Sequence, residues 1–101
     1  MRILVLFDLP VLTVEQRREY AKFRKFLIKS GFMMMQESVY CKLVLNAVAA
    51  ETVKLNVRDN APNDGLVQMF AITEKQYAKM EFVVGESHSE VLNTDKRIVV
   101  L

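Results

Sequence analysis

The chain holds one cysteine, three glycines and two prolines among 101 residues, and each scarcity removes a class of protein. A lone thiol, Cys41, closes no internal disulfide and makes no four-cysteine zinc site. So few glycines and prolines exclude collagen-like, linker-like and low-complexity chains. Gly31, Gly65 and Gly85 lie too far apart to form a phosphate-cradling glycine loop. The longest apolar runs, residues 3–7 and 80–84 (the second broken by Glu81), are too short to cross a bilayer. Asp8 interrupts the opening apolar run, which therefore lacks the core of a secretory signal. The expectation is a cytoplasmic protein with no membrane association.

What remains is an ordinary globular composition with an uneven charge. At 11.7 kDa the chain makes one domain. Apolar residues are 51% and charged residues 26%, the mix of a soluble fold. Residues 1–45 hold eight Lys/Arg against four Asp/Glu, and residues 46–101 hold six against eight. The first half is thus net positive, which points to an anionic partner for that half.

Residues 2–8 read as a strand, apolar at both parities and therefore central in its sheet. Thr13 and Gln16 have capping-box spacing, so a helix is expected to run to about Ser30, with Gly31 as its stop. Tyr20, Phe23, Phe26 and Leu27 share one face of that helix. Arg18, Lys22, Lys25 and Lys29 share the opposite face, with Arg17 and Arg24 on a flank. Residues 32–45 suit two strands meeting near Glu37-Ser38, or one sharply bent strand. Asn46 is positioned to cap a second helix to about Asp59, with Val48, Val53, Leu55 and Val57 as its apolar stripe. Residues 60–65 are turn chemistry, 66–72 a strand, and Thr73 to Gln76 a second capping box. Further strands are expected at 80–84 and 98–101. The order is the ferredoxin-like α+β plan: a βαββαβ antiparallel sheet with both helices on one face, plus extra C-terminal strands. Residues 1–85 are read as that domain. Residues 86–101 are read as an extension whose strand pairs with another chain. The uncovered sheet face and unpaired strands favour a homodimer.

Few residues carry candidate chemistry. Asp8 ends a buried strand beside a loop, where it either caps the chain turn or ligates a divalent metal. One carboxylate per chain makes a poor Mg²⁺ site unless a two-fold axis brings its mate close. Arg17 and Arg18 open the first helix near Asp8 and offer bidentate hydrogen bonds to phosphate. Residues 14–30 carry six bases and two acids, so local pairing leaves that face positive. His88 reads as a bystander in a polar loop. Cys41, Phe7 and Tyr40 read as core, and Met33-Met34-Met35 as core and interface packing.

Several segments taken together resemble one family, the second CRISPR-associated adaptation protein (Cas-two). They are Leu-Phe-Asp-Leu-Pro at 6–10, Arg17-Arg18, Phe-Arg-Lys-Phe-Leu at 23–27 and Gly31. Gln-Glu-Ser-Val-Tyr at 36–40, Asn46, Pro62, Gly65 and Ile-Thr-Glu-Lys-Gln-Tyr at 72–77 complete the set. The last segment looks most like the subtype found with single-protein effector nucleases. The resemblance implies a ferredoxin-like homodimer that works with integrase (Cas-one) dimers to capture foreign duplex DNA as spacers. It also implies a Mg²⁺-dependent endonuclease acting on RNA or DNA, with Asp8 and its symmetry mate as the catalytic metal ligands. Nucleic-acid contact carries over to Arg17 and Arg18, joined on the helix by Lys22 and Lys25, and Ser38 matches a serine near the dimer centre. Many members have a tyrosine before the aspartate where this chain has Phe7. Of the two readings the scaffold is favoured. A ferredoxin-like ligand-binding or regulatory module ranks third.

Overall fold

A computed structural model describes residues 1–85 of the chain. The strand Arg2–Asp8 (β1) leads to a helix at Val14–Lys29 (α1), then strands at Met33–Gln36 (β2) and Val39–Leu43 (β3). A second helix, Ala47–Asn60 (α2), the strand Leu66–Ile72 (β4) and the short helix Glu74–Ala78 (α3) follow. The sheet order is β2-β3-β1-β4 and every pairing is antiparallel. This is the expected ferredoxin-like α+β architecture, with β1 central as its unbroken apolar run required.

Local chemistry sets the element ends. The Thr13 hydroxyl accepts from the Gln16 amide at 3.0 Å, and the Gln16 side chain accepts from the Thr13 amide at 3.0 Å, a complete capping box. Thr73 and Gln76 repeat the device at α3, and Asn46 caps α2 through the Ala49 amide at 2.8 Å. Between β2 and β3 the chain turns at Glu37-Ser38, so the two-strand alternative holds; Ser38 adopts φ +65° to make the turn. A register shift between Met34 and Gln36 leaves Met35 as a bulge on this edge strand.

One face of the sheet is covered and the other is open. Cross-strand partners share a face, so Ile3, Val5, Phe7, Tyr40 and Met69 look toward the helices. There they meet Phe23 and Leu27 of α1 and Ala50 and Val57 of α2 in one core. Burying each large apolar side chain contributes about 1.5–3 kcal/mol relative to exposure. Phe7 is ringed by Tyr20, Phe23 and Tyr40 at centroid distances of 6.0, 5.3 and 5.7 Å. Phe7 and Tyr40 are structural, as expected, and Cys41 is buried. On the open face Arg2, Leu4, Leu6 and Asp8 alternate along β1, flanked by Leu43, Leu66 and Phe70, each about half exposed. Arg2 lies there over the Tyr77 ring of α3 at 3.9 Å and binds Glu74 through both carboxylate oxygens at 2.9 and 3.1 Å.

Three expectations need correction. Residues 80–84 form no strand, and Phe82, Val83 and Val84 are exposed. An apolar run becomes a strand only by completing a ladder, and among the described residues this one pairs with neither edge strand, β2 or β4. In α2 the inward stripe is Ala50, Val53 and Val57, at i, i+3 and i+7 spacing, while Val48 is 78% and Leu55 54% exposed. Met33 and Met34 are exposed on the edge strand and take no part in the core. The strand expected at 98–101, His88 and the extension at 86–101 lie outside the described residues.

Candidate functional site

Asp8 is the last residue of β1, opposite Leu66 of β4, and its side chain is exposed. Its backbone is held closely. Gly65, at φ +92°, lies beneath it: a Cβ there would approach the Asp8 carbonyl oxygen to 2.9 Å, Leu9 Cδ2 to 2.8 Å and Pro10 Cδ to 3.0 Å. Only glycine accommodates both that dihedral and that proximity. From the other side, the Phe7 amide donates to the Ser38 carbonyl at 3.0 Å. The tight β2–β3 turn therefore sits against the residue preceding Asp8. The structure brings Asp8 and Ser38 to the same end of the sheet.

The donor set at Asp8 is thin. Among the described residues no group of three His, Cys, Asp or Glu side chains converges as a metal site. The described residues of one chain therefore do not by themselves make a site for a divalent cation. A cleft of about 490 Å³ lies nearby, between α1 and the 62–64 turn, but Glu15, Glu19 and Asp64 line it with negative charge. Such a surface repels phosphate.

The positive surface is convex and lies along α1. Arg18, Lys22, Lys25 and Lys29 are all exposed at i, i+4, i+7 and i+11, opposite the buried Phe23 and Leu27. At 1.5 Å rise per residue the row spans roughly 16 Å, comparable to about five phosphate steps of one duplex strand. Ion pairs among the described residues are Glu74 with Arg2 and with the N-terminus, and Lys54 with Glu51. The α1 bases thus form no ion pair among the described residues. Arg17 behaves differently from its neighbour: its Nη1 donates to the carbonyls of Val11 and Leu12, both at 3.1 Å. Two features escaped the sequence reading, the packing of Gly65 under Asp8 and this loop contact of Arg17. The turn composition at 60–65 marks Gly65 as special, but nothing local names the backbone it must touch.

Residues 1–80 match the family model described as CRISPR associated protein Cas2. The chain belongs to the Cas2 family. Among curated Cas2 relatives, the CRISPR-associated endoribonuclease Cas2 of Treponema denticola is 56% identical over 101 residues, covering all of both chains. The protein of the same name from Ligilactobacillus salivarius is 45% identical, again over the full length of both. A crystal structure of Streptococcus pyogenes Cas2 at pH 6.5 superposes with a TM-score of 0.62 at 16% identity, over 83% of this chain and all of that one. At that identity the superposition supports the fold alone. No helix among the described residues is long and apolar enough to cross a membrane.

Proposed function

We propose that this Cas2 chain is a nucleic-acid-binding scaffold of CRISPR spacer acquisition. In this reading it is a homodimer that bridges integrase (Cas-one) dimers and holds the foreign duplex DNA fragment. The observation that carries it is the exposed basic row on α1, in no ion pair among the described residues, long enough to follow a phosphate backbone and convex enough to lie against one. Contacts of this kind position a duplex without reading its sequence, which suits capture of arbitrary fragments. The open sheet face, with half-exposed Leu43, Leu66 and Phe70, supports a second copy as its cover.

The second reading is a metal-dependent endonuclease, favoured by the exposed Asp8 and by the endoribonuclease name of the curated relatives. Asp8 lies at the end of the open face, so a copy docked there could add a second carboxylate and make a site for Mg²⁺. When bound, such an ion would supply charge stabilisation and an activated water. Asp8 would hold it, and Ser38 would lie beside it at the dimer centre. RNA is then the alternative polymer.

The deciding experiment pairs two variants. Arg18→Ala with Lys22→Ala and Lys25→Ala should flatten the log–log salt dependence of duplex DNA binding by up to ~2.7 units per chain if all three reach phosphate. An unchanged slope removes the scaffold reading. Asp8→Asn should leave spacer integration by the reconstituted complex intact while abolishing any Mg²⁺-dependent cleavage. Loss of integration with DNA binding preserved would make Asp8 chemistry central.

A further inference from the structure

The five residues that join Asp8 to α1 have little apolar anchorage. Leu9 is buried, but Val11 is 46% and Leu12 86% exposed. Side chains of α1 hold the loop instead. Gln16 Oε1 accepts from the Leu12 amide at 2.9 Å and from the Thr13 amide at 3.0 Å. Arg17 Nη1 donates to the Val11 and Leu12 carbonyls. Both backbone polar groups of Leu12 are therefore taken by the first turn of α1. Gly65 fixes the opposite end of the loop at Asp8, Leu9 and Pro10. Arg17 also sits about 100° around the helix from Arg18, off the row that Arg18, Lys22, Lys25 and Lys29 form.

We infer that Arg17 is a positioning residue for Asp8: it clamps the β1–α1 loop, and phosphate contact on α1 falls to Arg18, Lys22 and Lys25. This rests on the site reading given above. A guanidinium placed on two carbonyls supplies charge-assisted hydrogen bonds that fix the loop. Losing it leaves those carbonyls to water and frees Val11 and Leu12, the part of the loop that Gly65 does not hold.

The test uses the full chain with Arg17→Ala, Gln16→Ala and Arg18→Ala. Three readouts are taken: amide exchange at Leu12 and Thr13, the carboxyl-carbon NMR signal of Asp8, and the salt dependence of duplex DNA binding. Arg17→Ala should speed exchange at Leu12 and Thr13 on the order of tenfold, through two lost hydrogen bonds. It should also move the Asp8 signal and keep the wild-type salt slope. Gln16→Ala loosens the same loop without changing charge and should move the Asp8 signal likewise. A shift in both therefore reads displacement, since general loss of stability leaves that signal in place. Arg18→Ala should lower the salt slope by about 0.9 per chain and leave loop and Asp8 unchanged. Wild-type exchange and an unmoved Asp8 signal in Arg17→Ala would overturn the assignment. So would a fall in its salt slope equal to that of Arg18→Ala. Absence of salt-sensitive duplex binding by the wild type would sink the scaffold reading alone, with the loop and Asp8 readouts still deciding Arg17.

Discussion

Replacing Gly65 by alanine attacks the support of Asp8 without touching any charged group. Two costs combine. Gly65 has φ +92°, and an L residue in a left-handed conformation costs roughly 1–2 kcal/mol. The new methyl would then stand 2.8–3.0 Å from Leu9, Pro10 and the Asp8 carbonyl, all closer than ordinary contact. The carbonyl is backbone inside a strand pairing and has no rotamer with which to move aside. Overpacking of this sort costs about 1–3 kcal/mol. A total near 3 kcal/mol is expected, a large share of the ~5–15 kcal/mol that a small domain commands. At ~4–8 °C per kcal/mol, the melting temperature should fall by roughly 12–24 °C. The assay is thermal and urea denaturation followed by circular dichroism, with Gly85→Ala as control. Gly85 has φ +90° but no described residue within 4 Å of where its Cβ would be, so the backbone cost is the one expected there. Equal destabilisation by the two substitutions would refute the reasoning, as would a Gly65→Ala melt within about 0.5 kcal/mol of wild type.

Three further outcomes are expected. Val48→Ser with Leu55→Ser should change stability by less than about 0.5 kcal/mol, whereas Val57→Ala should cost about 1–3 kcal/mol in the same urea melts, because only Val57 faces the core. The hydrogen bonds from Arg2 hold the Glu74 carboxyl below the ordinary carboxylate range, so its contribution to stability is complete at neutral pH and is lost as pH falls through that lowered value. Glu74→Gln should therefore flatten the acid limb of a stability-against-pH curve, and an unaltered limb would remove the pair from consideration. Leu66→Glu with Phe70→Glu should convert a dimer to a folded monomer by light scattering, since both lie on the open sheet face; a persisting dimer would place the interface elsewhere.

The elements and most of their ends are legible in local chemistry. Capping chemistry at Thr13, Asn46 and Thr73 is local, involving residues three apart, and needs no tertiary partner to be read. The unbroken apolarity of β1 announced its central place, and the opposition of Phe23 and Leu27 to Arg18, Lys22 and Lys25 is helical periodicity alone. Features that depend on a second segment are legible only once the chain is folded. The inward face of α2 turned on Ala50, whose small side chain carries almost no hydrophobic signal although it lies in the core, while the bulkier Val48 and Leu55 face outward. Residues 80–84 have strand composition, yet among the described residues they pair with neither free edge, β2 or β4. Arg17 and Arg18 are adjacent and chemically identical. The carbonyls of Val11 and Leu12, reachable only once the loop folds back on α1, give one of them a backbone partner and leave the other facing outward.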